Sequence, residues 1–503
     1  MPPHGDAPLA DRRLHPLSWL FVLLQQLKQF IVPLLVLLFV GRGSGRGGGS
    51  NELWPLIGVG VLALASLWQY LTYRYRITAD SVIVQQGLLQ RSHRQIPFSR
   101  IHNVTVHQSL LHRLFKVAEV RLESAGGQKP EAEMRVLRMA DAIALEALVR
   151  RGGSAATHAG DAGDSGARDA GTALLALAPG EVLRLGLVSN RGMLVVGAVA
   201  AAASQISPRL LPNLFERWGK TLFGDAGRYE FGTLDYALAV ATLAIGFVLL
   251  MRMLSMGIAL LQYFGFRLDR HGHRLTVERG LLTRLRTSAS LRRLQAFTLR
   301  EGVVHRLLRR RSLDVDTAVI AAQNDQRALR ELAPIATAEA CDALVRAVLP
   351  HVSWPPPAWQ ALHTHAWWRL ALPGAALALA LCAGLGWRFG AWGALGLLWL
   401  PWAVFVARQH ARRAGYAIDD ALIAVRAGWW SRHWRFAELD KLQALQLQRS
   451  PLDRALGMAT LSLDTAGAGA FSQALRIRYL AHADAQALYA RCGRRMARRP
   501  LRW

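Results

Sequence analysis

The sequence predicts a polytopic α-helical membrane protein of about six transmembrane helices arranged as three hairpins, each followed by an α+β module of antiparallel sheet or barrel closed by a C-terminal helix. Three observations predict it. A block of about forty residues occurs three times, each copy comes directly after a pair of strongly apolar stretches, and the 503 residues are 52% hydrophobic with a mean hydropathy of +0.17. That composition is too apolar for an ordinary soluble chain of this length, and an internal repeat constrains the architecture before any local reading does.

The copies overlay without gaps on Gly87, Gly280 and Gly428, where they read GLLQR, GLLTR and GWWSR. Fourteen residues past each glycine an apolar residue follows a basic one, at Arg100-Ile101, Arg293-Leu294 and Lys441-Leu442. Arg113, Arg306 and Arg454 stand 26 past it, and Glu123, Asp316 and Asp464 stand 36 past it. An ion pair within each module between that arginine and that acid is the preferred reading.

Hairpin 1 covers 14–72, with spans expected at Ser18 to Val40 and Leu53 to Thr72. Gln25, Gln26 and Lys28 inside the first span leave two readings: a lysine facing a partner helix, or an interfacial helix ahead of a shorter crossing. No small-residue cleavage site follows it, so a cleaved signal peptide is not expected. The glycine-rich loop from Gly41 to Ser50 lacks the Gly-Lys-Ser/Thr ending of a phosphate loop. Module 1 covers 73–151, and the Gly/Ala/Asp-rich stretch 152–173 reads as a flexible linker. Hairpin 2 covers 174–264, with spans at Met193 to Leu211, interrupted by Pro208 and Arg209, and at Tyr236 to Leu254. Module 2 covers 265–350. Hairpin 3 covers 351–410, behind the proline-rich HVSWPPPAWQ, with spans at Trp367 to Trp387 and Ala391 to Val406; module 3 covers 411–497. Each span approaches the roughly 20 residues that cross a hydrocarbon core.

Within each module apolar residues alternate, as at Val82 and Val84, Leu275 and Val277, Ile423 and Val425, so half-buried strands are expected. The glycine anchors read as bulges in those strands. Amphipathic helices close the modules, starting near Ala140, Ala336 and Ala481, with Asp141 and Thr337 as expected N-caps.

The net charge of +27 is distributed as membrane topology distributes it. Nearly all the basic residues fall in the modules and termini, which the positive-inside rule places in the cytoplasm, at a bacterial inner membrane. Nucleic acid is not the expected partner. Cys341, Cys382 and Cys492 share no metal-ligand spacing, and His102, His107 and His112 at intervals of five suit neither a helix face nor a strand face, so no metal and no other cofactor is expected. No nucleophile and base recur and GxSxG is missing, so no enzyme is expected.

The segments RIHNVTVHQSLLHR, RLQAFTLREGVVHR and KLQALQLQRSPLDRALG resemble the bacterial pleckstrin-homology domain of the YdbT and YdbS type, over essentially the whole chain. Gly457 matches a glycine of that pattern; Lys116 and Arg309 stand there in the other copies. The resemblance implies three PH-like modules, each a seven-stranded sheet or barrel with its helix, on the cytoplasmic face. It also implies a smaller membrane partner protein of the YdbS type, and no established reaction.

Candidate binding residues follow the glycines. Arg91, Arg284 and Arg432, with Arg94, Arg286 and Arg435, lie beside Leu88-Leu89, Leu281-Leu282 and Trp429-Trp430. Such pairs can enter the interface while guanidinium groups hold lipid phosphate; equally, the apolar pairs can belong to the sheet core with the arginines satisfying loops. Arg309, Arg310 and Arg311 form the densest basic cluster. Two function classes remain at this stage. One is a scaffold binding anionic lipid, a partner protein and further copies of itself, serving envelope stress or tolerance of membrane-active peptides. The other is a transporter or export component using the six spans, although these offer little ionisable beyond Lys28 and Arg252.

Overall fold

The structure is a computed structural model and describes residues 12–13, 18–21, 23–24, 53–78, 80–86, 92–124, 131–155, 171–207, 209, 212–213, 216–217, 233–317, 329–465 and 475–498. In chain order, module 1 contains β1 (Arg12–Arg13), helix α1 (Leu53–Thr72), β2 (Arg74–Ile77), β3 (Ser81–Gln86), β4 (Ser92–Pro97), β5 (Ile101–Gln108), α2 (Leu110–Leu114), β6 (Val117–Ser124), β7 (Ala132–Arg138) and α3 (Met139–Ala155). Module 2 contains β8 (Thr172–Ala176), α4 (Pro179–Val188), α5 (Arg191–Ile206), α6 (Thr233–Tyr263), β9 (Arg267–His271), β10 (Arg274–Arg279), β11 (Arg284–Ser290), β12 (Leu294–Glu301), α7 (Val303–Leu307), β13 (Arg311–Thr317), β14 (Glu331–Ala336) and α8 (Ala338–Val348). Module 3 contains β15 (Gln360–Ala361), α9 (Ala366–Phe389), α10 (Trp399–Arg413), β16 (Gly415–Ile418), β17 (Leu422–Ala427), β18 (Arg432–Glu438), β19 (Leu442–Gln448), α11 (Pro451–Ala455), β20 (Met458–Thr465), β21 (Leu475–Ala481) and α12 (His482–Ala497).

Among the described residues each module thus has seven strands, and its first strand precedes the apolar helices instead of following them. β1, β8 and β15 pair with β2, β9 and β16, so the helices are inserted between two neighbouring strands. This ties both ends of each insertion to one sheet edge.

The sheets do not respect the repeat boundaries. Their orders are β1-β2-β3-β4, then β7-β6-β5-β11-β10-β9-β8, then β14-β13-β12-β18-β17-β16-β15, then β19-β20-β21. The last three strands of one module therefore continue into the first four of the next, through β5–β11 and β12–β18. Both junctions are antiparallel and share one register. Thr105, 18 past its glycine, faces Thr287, 7 past the next; Thr298, again 18 past, faces Arg435, again 7 past.

The apolar residues that alternate along the strands are buried. Val82, Val84, Val104 and Val106 in module 1, and Leu275, Val277, Phe297 and Leu299 in module 2, are at most 5% exposed. The closing helices cover those faces: α3 with Ala142, Leu145 and Val149, α8 with Cys341, Leu344, Val345 and Val348, α12 with Ala485, Leu488 and Cys492. Each large aliphatic side chain buried this way contributes about 1.5–3 kcal/mol. Thr337 caps α8 as expected, accepting from the Ala340 amide, whereas Asp141 lies in the first turn of α3, where its charge suits the helix dipole instead.

Among the described residues, two helical segments are long and apolar enough to cross a membrane, Val240–Tyr263 within α6 and Ala366–Arg413, or three if the pair α4 and α5, bent by 56°, is one span. This count stands where about six were expected. Ser18 to Val40 falls mostly outside the described residues, including Lys28, as do the loop 41–50 and 156–170 of the linker. Within Ala366–Arg413 the chain turns back through a 3-10 segment at Gly390–Leu398, and Gly374 of α9 lies so near Ala403 of α10 that a Cβ there would come within 2.6 Å. Glu331 of β14 anchors hairpin 2 to its module, accepting from Arg279 at 2.9 Å, from Arg191 at 3.4 Å and from the Tyr263 hydroxyl.

The two glycine anchors among the described residues are not bulges. Gly280 (φ 109°) and Gly428 (φ 85°) each open a four-residue turn after β10 or β17, where a Cβ would sit 1.9 Å from the carbonyl oxygen of Thr283 or Ser431. Only glycine tolerates that combination. Gly87 lies outside the described residues.

Candidate functional site

Of the two glycine turns that are described, that at Gly280 sits against the end of α6 and that at Gly428 against the middle of α10. Gly280 and Leu281 amides donate to the carbonyls of Phe264 and Leu261, just at and beyond the end of α6. Trp429 packs edge-on against Phe405 of α10 with centroids 5.5 Å apart, and Trp430 is 56% exposed. An exposed tryptophan beside the α9–α10 hairpin is suited to the interfacial layer.

Beside the Gly428 turn lies a cavity of about 620 Å³. Its lining brings Arg426 from β17, Arg435 from β18, Arg476 and Arg478 from β21, and the imidazoles of His410 and His433 together with Trp430 and Tyr479. Arg476 and Arg478 share a face because they are two apart on a strand, and both are exposed with no carboxylate partner among the described residues. Arg426 stacks over Trp359 at 4.9 Å and its Nε is buried without a hydrogen-bond partner. Burial holds the His433 pKa below the usual imidazole value. A second, apolar cavity of about 310 Å³, lined by Gly374, Trp399, Trp402 and Val406 between α9 and α10, shares Leu370 and His410 with the first. The basic chamber and the apolar cleft thus adjoin at these two residues.

The expected arginines divide sharply. Arg435 is buried, donating to Thr298 Oγ1 at 2.9 Å and to Asp316 Oδ2 at 2.5 Å. Arg432 lies 3.4 Å from Glu301, and Arg286 lies 3.3 Å from both Glu146 and Glu278. Arg284 is exposed at the start of β11, Arg94 is exposed and 3.9 Å from Glu131, and Arg91 lies outside the described residues. The cluster Arg309 to Arg311 does not form one basic patch. Arg310 grips both oxygens of Glu181 at 2.9 and 2.7 Å, Arg311 pairs with Glu301 at 3.1 Å and stacks over Trp434, and only Arg309 is exposed. Adjacent residues on a turn and a strand start diverge, so sequence density does not become surface density.

The arginines expected to form an ion pair within modules 1 and 2 instead reach across to the next module. Arg306 donates to the Trp430 carbonyl at 3.3 Å while Asp316 takes Arg435, and Arg113 donates to the Leu281 carbonyl at 2.8 Å while Glu123 accepts from Asn103 at 2.8 Å. The recurrent arginine thus holds the next module's glycine turn. Lys116 (φ 54°), Arg309 (φ 55°) and Gly457 (φ 67°) share one left-handed turn, so the residue at that position differs while the backbone does not. His107 lies 3.4 Å from Glu119, and His112 hydrogen-bonds Ser109 and packs on Phe21. Arg426, Arg476, Arg478, His410 and His433 were missed in the sequence; the signal was the alternation in LRIRYL, with arginines every second residue on an otherwise apolar strand.

The chain matches the bacterial PH domain over residues 21–152, 223–349 and 369–496, which together make up more than half of it. It is 22% identical over 316 residues to the UPF0699 transmembrane protein YdbT of Bacillus subtilis (strain 168), covering 59% of this chain and 60% of that relative. No solved structure matches it. Three copies of the domain, joined through shared sheets and set behind apolar helices, make the chain a member of the bacterial PH domain family.

Proposed function

We propose that this is a multi-pass protein of the bacterial inner membrane that carries its three PH-like modules on the cytoplasmic side as a scaffold binding anionic lipid and partner proteins, and that it catalyses no reaction. The observation that carries the lipid reading is the cavity in module 3, where Arg426, Arg476 and Arg478 converge beside an apolar cleft between α9 and α10. Each basic group near a membrane contributes about 1 kcal/mol toward anionic lipid. The basic last turn of α10, with His410, Arg412 and Arg413, supports the cytoplasmic side by the positive-inside rule. The transmembrane relative supports the membrane, and the resemblance of the repeated segments to the YdbT and YdbS type supports a smaller PH-domain membrane protein as one partner. A role in envelope stress or tolerance of membrane-active peptides fits a scaffold of this kind.

The test is retention of fluorescent phosphatidylglycerol by the full chain in phosphatidylcholine nanodiscs. Replacing Arg476 and Arg478 by Gln removes about 2 kcal/mol, a loss of about thirtyfold in affinity. Unchanged retention, or equal retention of phosphatidylcholine, refutes the reading.

A further inference from the structure

We propose that the chain assembles head to tail with a second copy of itself, β19 of one copy pairing antiparallel with β4 of the next; this rests on the scaffold reading and supplies its partner. Within the chain the fifth strand of one module pairs with the fourth strand of the following one, twice, in one register. Among the described residues, the fifth and fourth strands left without such a neighbour are β19 and β4. They are the two halves of a third junction.

Their burial marks the open edge. β12 is buried at seven of its eight positions, whereas Gln443, Ala444, Gln446 and Gln448 of β19 are exposed. His93, Arg94 and Gln95 of β4 are exposed, whereas Arg435 and Phe436, which stand where Arg94 and Gln95 do, are buried. An exposed edge of this kind offers unpaired N–H and C=O groups. The shared register puts Leu447 opposite His93, Gln446 opposite Arg94 and Leu445 opposite Gln95.

The side chains complement one another across that register. Arg94 occupies the position of Arg435, and Asp464 that of Asp316, 36 past the glycine, so a second copy would repeat the Arg435–Asp316 pair. Asp464 is exposed and has no partner among the described residues. Arg454 occupies the position of Arg113 and Arg306, which hold the next module's turn, and it too is exposed without a side-chain partner among the described residues. Arg449, just past the end of β19, is turned to the Met458 carbonyl at 3.3 Å. Because one chain carries both complementary halves, the occupant is a second copy, and the contact is heterologous, building a ring or an open row.

The test uses full-length chains without native cysteines, one population carrying Leu447→Cys and a differently tagged one carrying His93→Cys, co-expressed and oxidised in membranes. A disulfide joining the two tags is expected, at least tenfold more abundant than with Leu445→Cys and His93→Cys, two residues out of register. No such disulfide, equal yields from both pairs, or capture of a smaller membrane protein by His93→Cys overturns the proposal. Cys341 and Cys492 are buried, so removing them can weaken folding; the unaltered chain is therefore also weighed in mild detergent. Dimers or larger species are expected there, and a monomer at all concentrations overturns the assembly. Cross-linking does not depend on phosphatidylglycerol retention, so either reading can fail alone.

Discussion

Replacing Arg435 by Met tests whether the modules are locked to one another by the pair at the second junction. The Arg435 side chain is 5% exposed and Asp316 24%, and the arginine also satisfies Thr298. Removing one partner of a buried pair costs about 3–5 kcal/mol. Asp316 is a quarter exposed and regains water, which places the loss near the lower end, about 3 kcal/mol. At about 2–4 °C per kcal/mol for a unit of 150–250 residues, the melting transition falls by about 6–12 °C. The assay is intrinsic tryptophan fluorescence on heating the full chain in detergent. Asp316→Leu alone should also destabilise, because it strands the buried guanidinium. The double variant should lose about 2 kcal/mol less than the sum of the two single losses, since an uncharged contact replaces both charges. A shift below about 1 °C for Arg435→Met, or simple additivity in the double variant, would refute the argument that this pair joins the modules.

Two further outcomes follow from local chemistry. Arg309→Gly should raise stability by about 1 kcal/mol, because the residue sits at φ 55° where Gly457 serves in module 3, while Gly457→Ala should lower it by a similar amount; thermal melts of the two variants check both signs. Burial pushes the Asp314 carboxyl up to about 6, opposed by Arg300 at 3.3 Å. The folded state therefore binds more protons than the unfolded one between the ordinary carboxylate value and about pH 6, and stability falls as pH rises through that window. Asp314→Asn should flatten that slope and raise the melting temperature above pH 6; a slope unchanged in the variant would place the titration elsewhere.

Much of the module was legible because it is local. Alternation at Val82 and Val84 or Leu275 and Val277 reports a half-buried strand wherever the chain goes, and the faces of α8 and α12 report what they cover. The turn at Gly428 was seen as a glycine but read as a bulge, since the close carbonyl of Ser431 is a contact in space. Arg476 and Arg478 went unnoticed because their neighbours in the cavity, Arg426 and His433, come from strands some fifty residues away.

By itself the sequence determined that there are three copies of one module, that each accompanies apolar helices, and which residues face each core, because periodicity, glycine spacing and hydropathy are properties of short stretches. Only the tertiary structure decided where one module ends and the next begins. The partner of Arg306 and of Asp316 is set by which sheet edge each module leaves open, and hydrogen bonding joins β12 to β18 across the repeat boundary with no local signal in either strand. Backbone pairing is nearly indifferent to side-chain identity, so the same alternating strand serves equally as an interior ladder or as the open edge that β4 and β19 present.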